Sequence, residues 1–351
     1  MYSLTSADEP VPIETIPEIS IVVPVFNEEE NIPIFVARMI PILESVGTDW
    51  EIVFVNDGSR DRTLNAIRTA HAADQRVSGS AGQRVRALDF SRNFGKEIAL
   101  CAGLDFARGR AVVPIDVDLQ DPPELIPKLV EKWREGYDVV LALRADRSSD
   151  TWTKRTTATL FYKLIAMISN ITIPPNVGDF RLLDASVVAA LNTYRERERF
   201  MKGIFASVGY RTTAVPYVRQ SRAGGETKFG WLRLMRLAID GMVSFSVIPL
   251  KIWTYIGATA SLAAMIYAAS IIIRTIFWGI DVPGYASLVV VMLLFGGLIL
   301  TGLGIQGEYI ARIYSEVKAR PLYLVRETIG SFAEEITVSP PEQIRWSRPT
   351  D

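Results

Sequence analysis

A doubly wound, mostly parallel α/β sheet followed by two membrane-crossing helices is the fold class this sequence predicts, on three observations. Strand-like and helix-like segments alternate from Ile19 to Leu143, which is the rhythm of βαβ units. The strand-like runs, Ile21-Val22-Val23 and Ile52-Val53-Phe54-Val55 among them, are apolar on both faces, as strands covered by helices on both sides must be. The apolar excess, 49% hydrophobic residues with a mean hydropathy of +0.19, gathers in two charge-free stretches, Ile252 to Ile273 and Val282 to Gly307. Each exceeds the roughly 20 residues that cross a bilayer.

Met1 to Pro17 carries Asp8, Glu9 and three prolines without an apolar signal-peptide core, and reads as an unstructured tail. The folded order then runs strand Ile19 to Val25, helix Asn31 to Val46, strand Glu51 to Val55, helix Thr63 to Asp74, strand Arg86 to Phe90, helix Lys96 to Arg108 and strand Ala111 to Asp116. Helix Pro123 to Glu135, strand Asp138 to Leu143, helix Thr151 to Ile171 and a short strand near Phe180 to Leu183 complete a soluble domain over 18–230. Gly79 to Gln83, rich in Gly and Ser, is a surface loop. In Trp231 to Met242 the charged residues Arg233, Arg236 and Asp240 fall at i, i+3 and i+7 with apolar residues over the rest, a pattern that fits an amphipathic helix in the headgroup layer or one packed on the soluble domain. A juxtamembrane region (231–250) thus leads to two spans, about 252–274 and 283–307, and a C-terminal tail (313–351). Arg233, Arg236 and Lys251 precede the first span, Arg312, Lys318, Arg320 and Arg326 follow the second, and the connecting loop offers Arg274, so both termini are expected in the cytoplasm. Gly296, Gly297, Gly302, Gly304 and Gly307 in the second span permit close helix approach within the chain or between subunits, and a homo-oligomer, a tetramer included, is expected.

The 38 basic and 39 acidic residues leave a net charge of −1 and no basic face, which argues against nucleic-acid binding. A single cysteine, Cys101, and a single histidine, His71, leave no internal disulfide, cysteine zinc cluster or histidine-pair zinc site in this chain. Cys101 sits in the apolar run Ile98 to Leu104 and reads as packing. His71 sits in the polar run Leu64 to Asp74 and reads as solvent-exposed.

In open α/β sheets the ligand crevice lies beyond the carboxyl ends of the strands. Here those ends are polar: Pro24-Val25-Phe26-Asn27-Glu28, Asn56-Asp57-Gly58-Ser59, Ser91-Arg92-Asn93-Phe94-Gly95-Lys96 and Asp116-Val117-Asp118-Leu119-Gln120-Asp121-Pro122-Pro123. Asp116 and Asp118, two residues apart at a strand end, place two carboxylates on one side, and Gln120 extends the row with an amide oxygen. All-oxygen ligands select a hard cation, Mg²⁺ or Mn²⁺, whose shell phosphate oxygens complete. Asp121, followed by two prolines, reads as the cap of the next helix.

These motifs, in this order and spacing, resemble the family 2 glycosyltransferases of GT-A fold, and more narrowly the polyprenyl-phosphate glycosyltransferases, which include dolichol-phosphate mannose synthase and the bacterial bactoprenol glucosyltransferases. The motif resemblance covers Ile19 to Lys228, and the two spans match the bacterial architecture. It implies that Pro24, Phe26, Glu28, Val55 and Asp57 line the nucleotide pocket, with Phe26 standing where the family often has Tyr. It implies that Asp116, Asp118 and Gln120 hold the metal, with Val117 contributing backbone. The family commonly has a second Asp where this chain has Asn56, a departure that leaves the role of Asn56 open. Arg144, Arg155 and Thr159 fall where relatives bind the lipid phosphate, and guanidinium is suited to that by its bidentate geometry. Arg222 and Lys228, in Arg222-Ala223-Gly224-Gly225-Glu226-Thr227-Lys228, match a segment that closes over the diphosphate.

The implied reaction is the inverting transfer of one sugar, glucose from UDP-glucose, to undecaprenyl phosphate at the cytoplasmic leaflet. A phosphate monoester is already anionic and needs no general base. Asp179 is the carboxylate that would orient the sugar or the nucleophile. The competing readings are a processive polysaccharide synthase, for which two spans are few, and a catalytically silent lipid-binding scaffold. Gly302-Leu303-Gly304-Ile305-Gln306-Gly307 has the spacing of a dinucleotide fingerprint but lies inside a span, and Gln343-Ile344-Arg345-Trp346 is one residue short of the synthase Gln-x-x-Arg-Trp.

Overall fold

The computed structural model describes residues 16–78, 84–145, 177–194, 196, 201–218, 248–278 and 284–332. Strands β1 (Ile19–Val25), β2 (Trp50–Asn56), β3 (Val85–Phe90) and β4 (Ala111–Pro114) are parallel neighbours, and α1 (Asn31–Val46), α2 (Thr63–Ser78) and α3 (Lys96–Phe106) are their crossovers. A 3₁₀ turn (Pro123–Leu125) and α4 (Ile126–Arg134) lead into β5 (Val139–Arg144). Next come β6 (Val177–Asp184), α5 (Ala185–Thr193), α6 (Met201–Ser207) and β7 (Thr212–Tyr217). Two long helices, α7 (Ile248–Trp278) and α8 (Tyr285–Val317), precede β8 (Val325–Ile329). The sheet order is β7-β5-β6-β4-β1-β2-β3-β8. Pairings β5/β7 are parallel, whereas β4/β6, β5/β6 and β3/β8 are antiparallel, so a parallel centre carries mixed flanks.

The double-sided apolar strands do what their sequence requires. Ile19, Ile21, Val23, Ile52 and Phe54 pack with Phe35 and Met39 of α1, Ile67 of α2 and Leu129 of α4 on one face. Val22 on the opposite face meets Leu100 and Leu104 of α3 and Val187 of α5, while Val53 and Val55 meet Ala99 and Ala102 of α3. Asp184 at the end of β6 caps α5, its carboxylate accepting from the Ser186 N–H at 2.9 Å. Cys101 is buried as expected. His71 is half-buried rather than solvent-exposed: its Nδ1 lies 2.5 Å from the carbonyl of Val85, because α2 lies against β3.

Ile252–Trp278 and Val290–Val317 are long and apolar enough to cross a membrane, and their side chains are largely exposed. Both helices outrun the expected spans, and Arg274 belongs to α7 rather than to the connecting loop. At Gly302 a Cβ would lie 1.9 Å from the Trp253 indole nitrogen, so the glycine is what lets α7 and α8 touch there.

The expected tail from residue 313 is not one: α8 continues to Val317, and the chain then returns to the sheet as β8. Glu327 accepts from Arg68 Nη2 at 2.7 and 2.8 Å, and Tyr323 stacks on Phe90 with ring centroids 5.1 Å apart. Phe332 covers the guanidinium of Arg86 at 4.4 Å, and Arg86 Nη1 donates to the Ser331 carbonyl at 3.1 Å. Arg86 itself is fully buried and meets the buried carboxylate of Glu51 at 2.6 Å. Ser20 Oγ and the Arg108 N–H also donate to that carboxylate. Replacing Arg86 with Met strands Glu51 in the interior, which costs about 3–5 kcal/mol for a broken buried pair; thermal unfolding in detergent should show a correspondingly lower midpoint, and an unchanged one would mean the pair is not stabilising.

The expected tail residues 1–15, the Gly79 to Gln83 loop, helix Thr151 to Ile171 and helix Trp231 to Met242 lie outside the described residues, as do Arg155, Thr159, Arg222 and Lys228.

Candidate active site

The carboxyl ends of β1, β2, β3 and β4 open on a cleft of about 370 Å³ lined by Pro24, Val25, Phe26, Glu28, Asp57, Asn93, Gly95, Lys96, Asp116, Val117 and Asp118. Of the described donor-site candidates, Val55 stands apart: it is wholly buried in the core of β2 against α3. Phe26 is 42% exposed, a large apolar ring left open at the cleft.

Asp116 and Asp118 both reach the cleft, by a different route from the one the pleat suggests. β4 ends at Pro114, the last backbone bond to β1 is Ile115 N–H to the Val22 carbonyl at 3.0 Å, and the two aspartates lie in the turn that follows. That turn is closed by Asp118, whose Oδ1 accepts from the Gln120 N–H at 3.1 Å, and it holds Leu119 at φ 54°. Gln120 Nε2 also donates to Asp118 Oδ2 at 2.7 Å, so the amide orients the carboxylate; its oxygen is the atom a cation would use.

Lys96, the first residue of α3, bridges across the cleft. Its ammonium lies 2.7 Å from Asp116 Oδ1 and 3.1 Å from Asp179 Oδ2 on β6. Burial works against its charge, the two carboxylates outweigh burial, and its pKa is raised above the ordinary lysine value. No local motif assigns Lys96 a task, because its two partners are 20 and 83 residues away in sequence.

Asp57 organises the wall. Its Oδ1 and Oδ2 accept from the N–H groups of Phe94 and Gly95 at 2.6 and 2.9 Å, tying the end of β2 to the loop before α3. Its pKa is raised by burial, which outweighs those bonds and the nearby Arg92. Gly58, at φ +64°, lets the two loops approach: a Cβ there would lie 2.4 Å from the Arg92 carbonyl carbon and 2.7 Å from the Asn93 nitrogen, and neither backbone atom can move aside cheaply. Gly58→Ala should therefore lower stability by about 1–3 kcal/mol, the range for forcing a non-glycine residue into a strained or overpacked position; chemical denaturation of the two proteins measures it, and equal midpoints would remove the close-packing account.

Asp121 does not cap the following helix. The 3₁₀ turn has Pro122 as its N-cap and no side-chain cap bond, and Asp121 instead accepts from the hydroxyl of Tyr217 on β7. Burial first and that bond second push the phenol up to about 12. Arg144 at the end of β5 donates from Nε to the same hydroxyl at 3.1 Å and lies 3.9 Å from Asp121, a triad that holds the guanidinium beside β6.

Among the described residues no group of three or more His, Cys, Asp and Glu could hold a metal ion. The cleft lining instead sets four carboxylates, Glu28, Asp57, Asp116 and Asp118, against one ammonium. Asp116 already seats a cation, the Lys96 ammonium, and the carboxylates of Asp116 and Asp118 are the oxygen donors that a hard divalent ion takes.

An acidic cleft at the carboxyl edge of a doubly wound sheet stands where such folds bind their ligands. The sequence profile described as Glycosyl transferase family 2 matches residues 20–191. The chain belongs to glycosyltransferase family 2 and is a glycosyltransferase. An uncharacterized glycosyltransferase of Synechocystis sp. is 51% identical over 89% of this chain and 96% of its own. A prophage bactoprenol glucosyl transferase homolog of Escherichia coli is 51% identical over 88% of this chain and 98% of its own. An SfII prophage-derived bactoprenol glucosyl transferase of Shigella flexneri is 50% identical over 89% of this chain and 98% of its own.

Proposed function

We propose that this enzyme transfers a single glucose from UDP-glucose to undecaprenyl phosphate at the cytoplasmic leaflet, with inversion at the anomeric carbon. The observation that carries this reading is the return of the chain to the sheet as β8 after two apolar helices: the pair leaves and rejoins the domain that holds the cleft, as a two-span hairpin anchored in a membrane would. The relatives named as bactoprenol glucosyl transferases support the lipid and the sugar.

In this reading Phe26 stacks on the base, and Glu28 and Asp57 hold the base and ribose edge of the pocket. Asp116 and Asp118, with Gln120, would hold Mg²⁺ or Mn²⁺, which would supply positive charge for the leaving diphosphate. Lys96 adds the one positive side chain of the described cleft lining, and Arg222 and Lys228 close over the diphosphate. The acceptor phosphate, drawn by Arg144, Arg155 and Thr159, attacks as the anion it already is, so the protein positions two anions and Asp179 orients rather than deprotonates.

Purified protein given labelled UDP-glucose, undecaprenyl phosphate and Mg²⁺ or Mn²⁺ should form a labelled product soluble in organic solvent. No such product with any common UDP- or GDP-sugar overturns the proposal and favours the silent scaffold. A long water-soluble polymer identifies a processive synthase instead.

A further inference from the structure

Asn56 and Asp89 form a buried pair outside the cleft lining, and the bonds on either side of it join the C-terminal segment to the cleft. Asp89 on β3 is fully buried. Its Oδ1 accepts from Asn56 Nδ2 at 2.7 Å, and its Oδ2 accepts from Nε of Arg326, on β8, at 2.7 Å. On the far side of Asn56, the amide oxygen accepts from Ser59 Oγ at 2.5 Å. Ser59 Oγ in turn accepts from the backbone N–H of Asn27 at 2.9 Å, and Asn27 Oδ1 accepts from the Arg60 N–H at 2.9 Å. Asn27 stands between two cleft-lining residues, Phe26 and Glu28, in a left-handed conformation with φ 56°. Asparagine tolerates that conformation when local hydrogen bonds support it.

The series from Arg326 to Asn27 is unbroken, and each member has the chemistry its place demands. Residue 56 must donate to a buried carboxylate on one side and accept from a hydroxyl on the other, and an amide is the group that does both. An aspartate at 56 would set a second carboxylate against Asp89.

We propose that Arg326 is a positioning residue for the cleft: by neutralising Asp89 it orients Asn56, and through Asn56 and Ser59 it holds Asn27, and with it Phe26 and Glu28, in place. Arg326 reaches Asp89 because the chain rejoins the sheet after the helical pair, so the shape of the cleft depends on the segment that returns from the apolar helices. The effect on donor use rests on the reading of the cleft given above; the effect on the loop does not.

Two measurements on the full chain in detergent separate these. In hydrogen exchange, Arg326→Ala should speed exchange of the amides in 26–31 and 56–62, where the N–H groups of Asn27, Glu28 and Arg60 are held by Ser59, Thr63 and Asn27, by about tenfold, the scale of a coupling of about 1.4 kcal/mol. In turnover, the same variant should raise the KM for UDP-glucose about tenfold with kcat within about twofold. Arg326→Lys should restore most of both, and Asn56→Asp should loosen the same loops without touching β8. Glu327→Ala breaks the neighbouring Arg68 pair on the same strand and should leave both readouts as in the parent protein. Unchanged exchange at 26–31 in Arg326→Ala overturns the proposal, as does equal loosening in Glu327→Ala, which would reduce the effect to docking of β8. Loosened loops with an unchanged KM retain the relay and overturn the donor reading of the cleft.

Discussion

Asp118→Asn will lower turnover by roughly a hundredfold to a thousandfold, the cost of removing one preorganised charge that faces developing charge in the transition state. The substitution is isosteric, and the turn that presents residue 118 keeps one acceptor for the Gln120 N–H, so the folded structure and its melting temperature should be preserved. What is lost is one of the two carboxylates available for a hard cation at this end of the cleft, and with it most of the affinity for Mg²⁺ or Mn²⁺. The measurement is turnover across a metal titration together with Mn²⁺ binding followed by its paramagnetic resonance. A deficit that high metal relieves only in part fits loss of a charged ligand; parent-like activity at every metal concentration would show that the cation is not held here.

The centre of the fold was readable from the sequence because its signal is local. β1 and α1 begin and end where the pattern places them, since a strand buried on both faces is apolar at nearly every position and the helix beside it has no second way to cover it. The two strands that escaped the reading, β7 and β8, are the edges of the sheet. Edge strands carry the residues that discourage further pairing, here Pro216 in β7 and Arg326 and Glu327 in β8, and those residues erase the apolar pattern that marks a strand. The candidate site divides in the same way. Each strand-end motif announced its own residues, and most of them do meet at one cleft. The contacts between motifs, Asp57 to the loop before α3, Asn56 to Asp89 and Lys96 to Asp116 and Asp179, are set by the sheet order and have no local trace.

Replacing Lys96 with Met should weaken donor binding and strengthen metal binding in the same protein. The described lining has four carboxylates and this one ammonium, so its removal leaves an uncompensated acidic wall facing a donor that carries a diphosphate. UDP affinity and turnover should each fall by roughly tenfold to a hundredfold, the scale of losing a charge-assisted contact. The metal responds with the opposite sign. Lys96 lies 2.7 Å from Asp116, and a divalent ion seeking that carboxylate must displace or share with it; without the lysine the ion meets no competing cation among the described cleft-lining residues. Nucleotide-free Mn²⁺ affinity should therefore rise, by about tenfold if a single short ion pair of about 1.4 kcal/mol is what the metal now overcomes. Lys96→Arg keeps the charge and should retain most of the donor affinity, though a planar guanidinium cannot bridge Asp116 and Asp179 as a compact ammonium does. Calorimetric titrations of Mn²⁺ and of UDP into the parent and both variants decide the matter. Should the two affinities move in the same direction in Lys96→Met, the lysine and the cation do not compete for Asp116, and the metal belongs to Asp118 alone.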